Sequence, residues 1–107
     1  MGCRGNRRGE SRCTSGAPAC HDERVVYYIK DVPDRPDSVM IQADKIVNGK
    51  AITMGTGEWR YDRMGRTLEL RMPQQRWLLK ISGNRMEGTL KLADGTVFRK
   101  VTLSKGQ

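Results

Sequence analysis

The sequence predicts an all-β fold: an antiparallel up-and-down meander of about seven strands that closes as a small barrel or stays an open half-barrel that dimerises. Three observations carry this. Apolar residues alternate with polar ones from Gly55 to Lys105, the period of a strand with one face covered. The segments between these runs are turn sequences, among them Asn48-Gly49, Gly83-Asn84 and Asp94-Gly95, too short for a crossover helix, so sequential neighbours must be antiparallel. The register those turns impose is self-consistent, sending the same side chains to one face across consecutive hairpins.

Residues 1–24 (MGCRGNRRGESRCTSGAPACHDER) hold almost no large apolar side chain and cannot bury enough surface to offset the entropy of ordering them. They read as a flexible basic Gly/Ser/Arg-rich tail ahead of a β-meander domain at 25–107. The tail carries Cys3, Cys13 and Cys20, with His21 beside the last. Those spacings lack the close pair that structural zinc favours, leaving free thiols, or one bridge with a spare cysteine, as the simpler reading. Met1-Gly2-Cys3 with Arg4, Arg7 and Arg8 resembles an acylation start, although Asn6 stands where that pattern wants Ser or Thr. Gly2-Cys3 also resembles the end of a lipoprotein cleavage site without the apolar segment before it.

Val25–Lys30 (VVYYIK) is dense in β-branched and aromatic residues and reads as the first strand, with a short helix as the competing reading because Asp22 and Glu23 precede it. Asp31–Asp37 contains Pro33 and Pro36 and reads as a loop. Val39–Val47 and Lys50–Asp62 flank Asn48-Gly49, a two-residue hairpin signal. Apolar parity switches around Gly55-Thr56-Gly57, from Ile52 and Met54 to Trp59 and Tyr61, which predicts a β-bulge or bend there.

Leu68, Leu70 and Met72, then Trp77, Leu79 and Ile81, then Met86, Leu90 and Leu92, fall on one face. Thr96–Lys105 adds Val97, Val101 and Leu103 as a last strand. The turns set a register: Leu92 with Val97, Leu90 with Arg99, Gly88 with Val101 and Met86 with Leu103 across one hairpin; Ile81 with Met86, Leu79 with Gly88 and Trp77 with Leu90 across the other. On the outer face the same reasoning, with Pro73-Gln74-Gln75 as a turn, sets Glu87 beside Lys80, Lys80 beside Glu69 and Glu69 beside Arg60, a solvated row of alternating charge. Arg99 falls inward by parity. A charge facing a core needs a partner or a route to water, so Arg99 either snorkels to an open end or pairs structurally, or it meets a ligand carboxylate.

The segments Gly57-Glu58-Trp59-Arg60-Tyr61, Thr67-Leu68-Glu69-Leu70, Ile81-Ser82-Gly83-Asn84-Arg85-Met86-Glu87-Gly88-Thr89, Asp94-Gly95 and Val101-Thr102-Leu103-Ser104-Lys105 together resemble small bacterial lipocalin-like, or calycin-type, β-meander domains. The resemblance covers roughly half the chain. It implies a sheet curling around an apolar interior that takes a small hydrophobic ligand. After a 24-residue tail the remaining chain is short for a closed barrel of that type, which makes a two-fold dimer with a shared interior the expected alternative.

Function follows from the two faces. The leading reading is a non-enzymatic binding module with Trp59, Tyr61, Leu70, Met72, Trp77, Leu79, Met86, Leu90 and Arg99 around its ligand, although filling the core explains each aromatic on its own. The chain carries 20 Lys+Arg against 12 Asp+Glu, net +8, which raises a second reading: polyanion or single-stranded nucleic-acid binding through Arg63, Arg66, Arg76, Lys91, Phe98 and Lys100. The excess is spread, +2 over residues 1–24 and +6 over the rest. Purely structural self-association is a third. An enzyme is not expected: the one histidine, His21, and the cysteines lie in the tail, and no base, nucleophile or metal set gathers in the strands. No cofactor and no membrane span are expected, and the chain reads as soluble, cytoplasmic as written or exported if a signal segment has been removed.

Overall fold

The computed structural model describes residues 4–14 and 20–105. Eight antiparallel strands run in chain order around a closed barrel: β1 Gly5–Cys13, β2 Glu23–Val32, β3 Arg35–Val47, β4 Lys50–Asp62, β5 Thr67–Met72, β6 Gln75–Ser82, β7 Arg85–Leu92 and β8 Val97–Lys105. Closure removes the open sheet that made a covering second copy the expected alternative.

The eighth strand comes from the segment read as a tail. β1 lies between β2 and β8, with Gly5↔Ile29 to Ser11↔Glu23 on one side and Arg7↔Lys105 to Cys13↔Arg99 on the other. It carries almost no apolar side chain, so its order comes from two backbone ladders. Gly9 shows how near the neighbour runs: a Cβ there would overlap the carbonyl oxygen of Thr102. A disulfide joins Cys13 to Cys20, and the Asp22 carboxylate accepts from the Cys13 N–H at 2.8 Å. Cys3, and with it the acylation and lipoprotein readings, lies outside the described residues.

The turns explain most of the register. Asn48 and Gly49 have φ of 51° and 80°, the conformation a two-residue hairpin needs. The bulge falls immediately before the Gly55-Thr56-Gly57 segment where parity predicted it: Ala43 faces Gly55, Asp44 faces Thr53, and Met54 is the extra residue. The Leu79–Gly88, Trp77–Leu90, Met86–Leu103 and Leu90–Arg99 pairs form as expected.

Three local expectations are corrected. Asp31–Asp37 is not a loop but a tight hairpin around Pro33-Asp34, with Asp34 at φ 65°, and Pro36 is tolerated because the start of β3 is exposed. Pro73-Gln74 turns in two residues, since Gln75 already pairs with Met72. Glu69 therefore faces Leu78, and Lys80 faces Thr67, which removes the middle link of the expected charge row, while Arg60–Glu69 and Lys80–Glu87 pair as expected. A shift between Leu90 and Lys91 sets Val97 opposite Lys91 instead of Leu92.

The barrel interior is filled. Val25, Tyr27, Ile29, Val39, Ile41, Trp59, Leu68, Leu79, Met86, Val101 and Leu103 form one buried cluster, with Leu68, Leu79 and Met86 wholly inaccessible. An eight-stranded barrel is just wide enough for side chains to occupy its centre. Gly88 lets β6 and β7 approach, because a Cβ there would overlap the Leu78 carbonyl.

Candidate functional site

The expected ligand residues divide among three environments. Trp59, Leu79, Met86 and Leu90 belong to the packed interior, each no more than 4% exposed. Trp59 sits at the centre of an aromatic chain, edge-on to Tyr27 at 6.3 Å and tilted against Trp77 at 6.2 Å. Leu70 and Trp77 pack partly buried against that cluster. Tyr61 and Met72 reach opposite ends of the barrel, where each lines a cleft.

Arg99 is held structurally. Its Nη1 donates to the Ser11 carbonyl at 3.3 Å, the Ser11 hydroxyl at 3.2 Å and the His21 carbonyl at 3.0 Å, and lies 3.8 Å from the Glu23 carboxylate. Lys45 approaches the same carboxylate at 3.9 Å. Arg99 thus ties β8 to β1 and to the start of β2, and the paired alternative is the one the structure shows. Burial pushes the neighbouring Tyr27 phenol well above its ordinary range, the charge of Arg99 opposing this only in part.

The larger cleft, about 780 Å³, opens at the end formed by the β2–β3, β4–β5 and β6–β7 turns. Val32, Pro36, Val39, Tyr61 and Ile81 supply apolar lining; Arg4, Arg35, Arg63 and Arg66 bring cations, against Asp31 and Asp34. Each wall is positioned by local chemistry. Arg66 sits at φ 55°, a region that costs a non-glycine residue, and its carbonyl accepts from the Ile81 N–H at 2.8 Å. The β4–β5 turn is thereby fixed to β6. Asp62 accepts from the N–H groups of Met64 and Gly65 at 3.1 and 3.2 Å, an Asx turn that shapes the segment carrying Arg63.

Two of the four arginines are engaged within the protein. Arg4 lies 3.3 Å from Asp31, and Arg35 donates to both Glu58 oxygens at 2.9 and 2.8 Å, which holds that carboxyl below its usual range. Among the described residues, Arg63 and Arg66 have no carboxylate within ion-pairing distance. Behind the Arg4 wall, Arg7 is only 5% exposed; its Nη1 donates to the Arg4 and Asn6 carbonyls, while its Nε has no partner. This end therefore combines an apolar floor with a surplus of positive charge.

Sequence reasoning placed Arg63 and Arg66 in one basic surface with Arg76, Lys91, Phe98 and Lys100. The barrel separates them: the first two border the large cleft, the others belong to strands at the opposite end. Arg4, Arg35, Val39 and Ile81 were missed as site residues. Their joint position follows from barrel closure, although the prolines and turn arginines marked the rim.

The chain is thus an all-β, eight-stranded antiparallel barrel of calycin-like architecture, without a helix among the described residues. A solved structure with this fold is zebrafish ileal bile acid-binding protein complexed with cholic acid, at TM-score 0.53 and 15% sequence identity, the match covering 96% of this chain and 98% of that one. No protein-family model matches the chain, and none of the curated proteins matches it. Among the described residues, no three His, Cys, Asp or Glu side chains gather where they could hold a metal ion, and no helix is long and apolar enough to cross a membrane.

Proposed function

We propose that this protein is a non-enzymatic binding module that takes a small amphipathic molecule, an apolar body carrying an anionic group, in the large cleft at one mouth of the barrel. The observation that carries this is the cleft of about 780 Å³ in which Val39, Tyr61 and Ile81 lie beside Arg63 and Arg66. An apolar lining with a few placed charges is the usual composition of a small-molecule site. The packed interior argues for a ligand seated at the mouth instead of the centre. The shared fold with a protein solved with cholic acid adds support of the same kind.

Cholate and its uncharged methyl ester are suitable probes, because they share an apolar body and differ in the anion. Trp59 faces Val39 across β3 and β4, so occupancy of the cleft should perturb its fluorescence. Cholate should give a saturable change, and the R63Q/R66Q double variant should weaken it about tenfold, as expected for losing charged hydrogen bonds. An ester that binds as tightly as cholate, or no saturable signal from either probe, would refute the assignment.

A further inference from the structure

The two ends of the barrel expose different chemistry. Among the described residues six large hydrophobic side chains stand open, and five of them, Val47, Ile52, Met54, Met72 and Leu92, gather at the end formed by the β3–β4, β5–β6 and β7–β8 turns. Met64 alone is at the other end. A second cleft of about 410 Å³ lies between the β5–β6 and β7–β8 turns, with Met72 and Leu92 beside Arg71, Arg76 and Lys91 and no carboxylate in its lining. Glu69, the acid that reaches these cations, is shared between Arg71 at 3.2 Å and Arg76 at 3.4 Å. One carboxylate cannot neutralise two guanidiniums, and among the described residues Lys91 has no ion-pair partner.

From this we infer that the end bearing Met72 and Leu92 docks on an anionic lipid surface, these side chains entering the headgroup layer while Arg71, Arg76 and Lys91 meet lipid phosphates. Exposed aliphatic side chains ringed by cations are the combination that binds such an interface, since apolar burial and attraction to anionic lipid add. Nucleic acid fits less well, because bases stack on aromatic rings and the open side chains here are aliphatic. A second copy laid on this end would bring the same three cations against each other. The inference is independent of the ligand assigned to the opposite mouth.

Co-sedimentation with vesicles of phosphatidylcholine alone, or of phosphatidylcholine with phosphatidylglycerol, tests this on the full chain. Binding to the anionic vesicles should be about tenfold or more tighter than to neutral ones and should fall as salt is raised. M72S/L92S, at two positions already 44% and 37% exposed, should fold normally by near-ultraviolet dichroism yet lose about tenfold in binding. R76Q/K91Q should lose the preference for the anionic lipid, whereas R85Q, on the opposite rim, should not. Equal affinity for both vesicle types, no binding to either, or M72S/L92S binding like the parent would overturn the inference. So would tighter binding of a single-stranded oligonucleotide than of anionic vesicles, or a solution dimer abolished by M72S/L92S.

Discussion

Beginning the chain at Thr14, with Cys20→Ser to avoid a lone thiol, removes β1 and leaves β2 and β8 with two unpaired edges. The size of the effect follows from the ladders. β1 makes seven residue pairs with β2 and seven with β8. At about one backbone hydrogen bond per pair and about 0.5 kcal/mol each, the low end of the net range, the two ladders contribute about 7 kcal/mol. That is comparable to the whole stability of a small domain, about 5 to 15 kcal/mol. The truncation also uncovers Val25, Tyr27, Val101 and Leu103, each at most 2% exposed. The shortened chain should therefore lack a cooperative urea transition, lose the near-ultraviolet dichroism of Trp59 and Trp77, and bind anilinonaphthalene sulfonate. Retention of the parent spectrum with an unchanged urea midpoint would refute the reasoning and restore residues 1–24 as a dispensable tail.

Gly88→Ala would drive a methyl group into the Leu78 carbonyl; because the obstacle is backbone, the β6–β7 ladder must part, and urea denaturation should show a loss of about 3 kcal/mol, at the top of the overpacking range. For Tyr27 the folded state disfavours the phenolate, so its contribution to stability is intact below the ordinary tyrosine value of about 10 and is lost as pH rises beyond it, because the unfolded chain releases that proton first. In a Y28F/Y61F background, which leaves Tyr27 as the single phenol, a spectrophotometric titration should show the phenolate step arriving only with unfolding; a reversible step near pH 10 in the folded protein would contradict the burial of Tyr27. C13S/C20S removes a bridge between residues seven apart in sequence and should lower stability by about 2 kcal/mol, the loop-closure value for so short a ring. Equal urea midpoints for parent and variant would show that the bridge does not constrain the unfolded chain.

The legible part of the fold lies where neighbouring strands are joined by turns whose residue chemistry sets the register. Asn48-Gly49 and Gly83-Asn84 fixed their hairpins, and the parity switch near Gly55 announced the bulge at Met54. Pro73-Gln74-Gln75 misled because turn composition does not fix loop length: the expected Glu69–Lys80 pair needs two more residues in the connection than Pro73-Gln74 supplies, and the shift from Lys80 to Leu78 changes every partner across β5 and β6 while leaving the apolar face in place. β1 was hidden because its inward positions, Arg7, Gly9 and Ser11, are polar or small. The signal it did carry was charge at every even position from Arg8 to Arg12, a period of two without hydrophobicity. For the candidate site, Tyr61 was in the expected set, but Trp59, Leu79, Met86 and Leu90 fill the centre.

By itself the sequence determined an all-β antiparallel meander, the strands from β4 onward, and the separation of an apolar face from a wet one, because alternation and turn residues act between neighbours in the chain. Tertiary structure alone decided closure. A polar strand becomes ordered when two backbone edges are held one strand-width apart, and nothing in residues 5–13 reveals that gap. The large cleft has the same origin: Arg4, Arg35, Arg63 and Ile81 come from four separate parts of the chain, and only the ring that joins β1 to β8 sets them around one mouth.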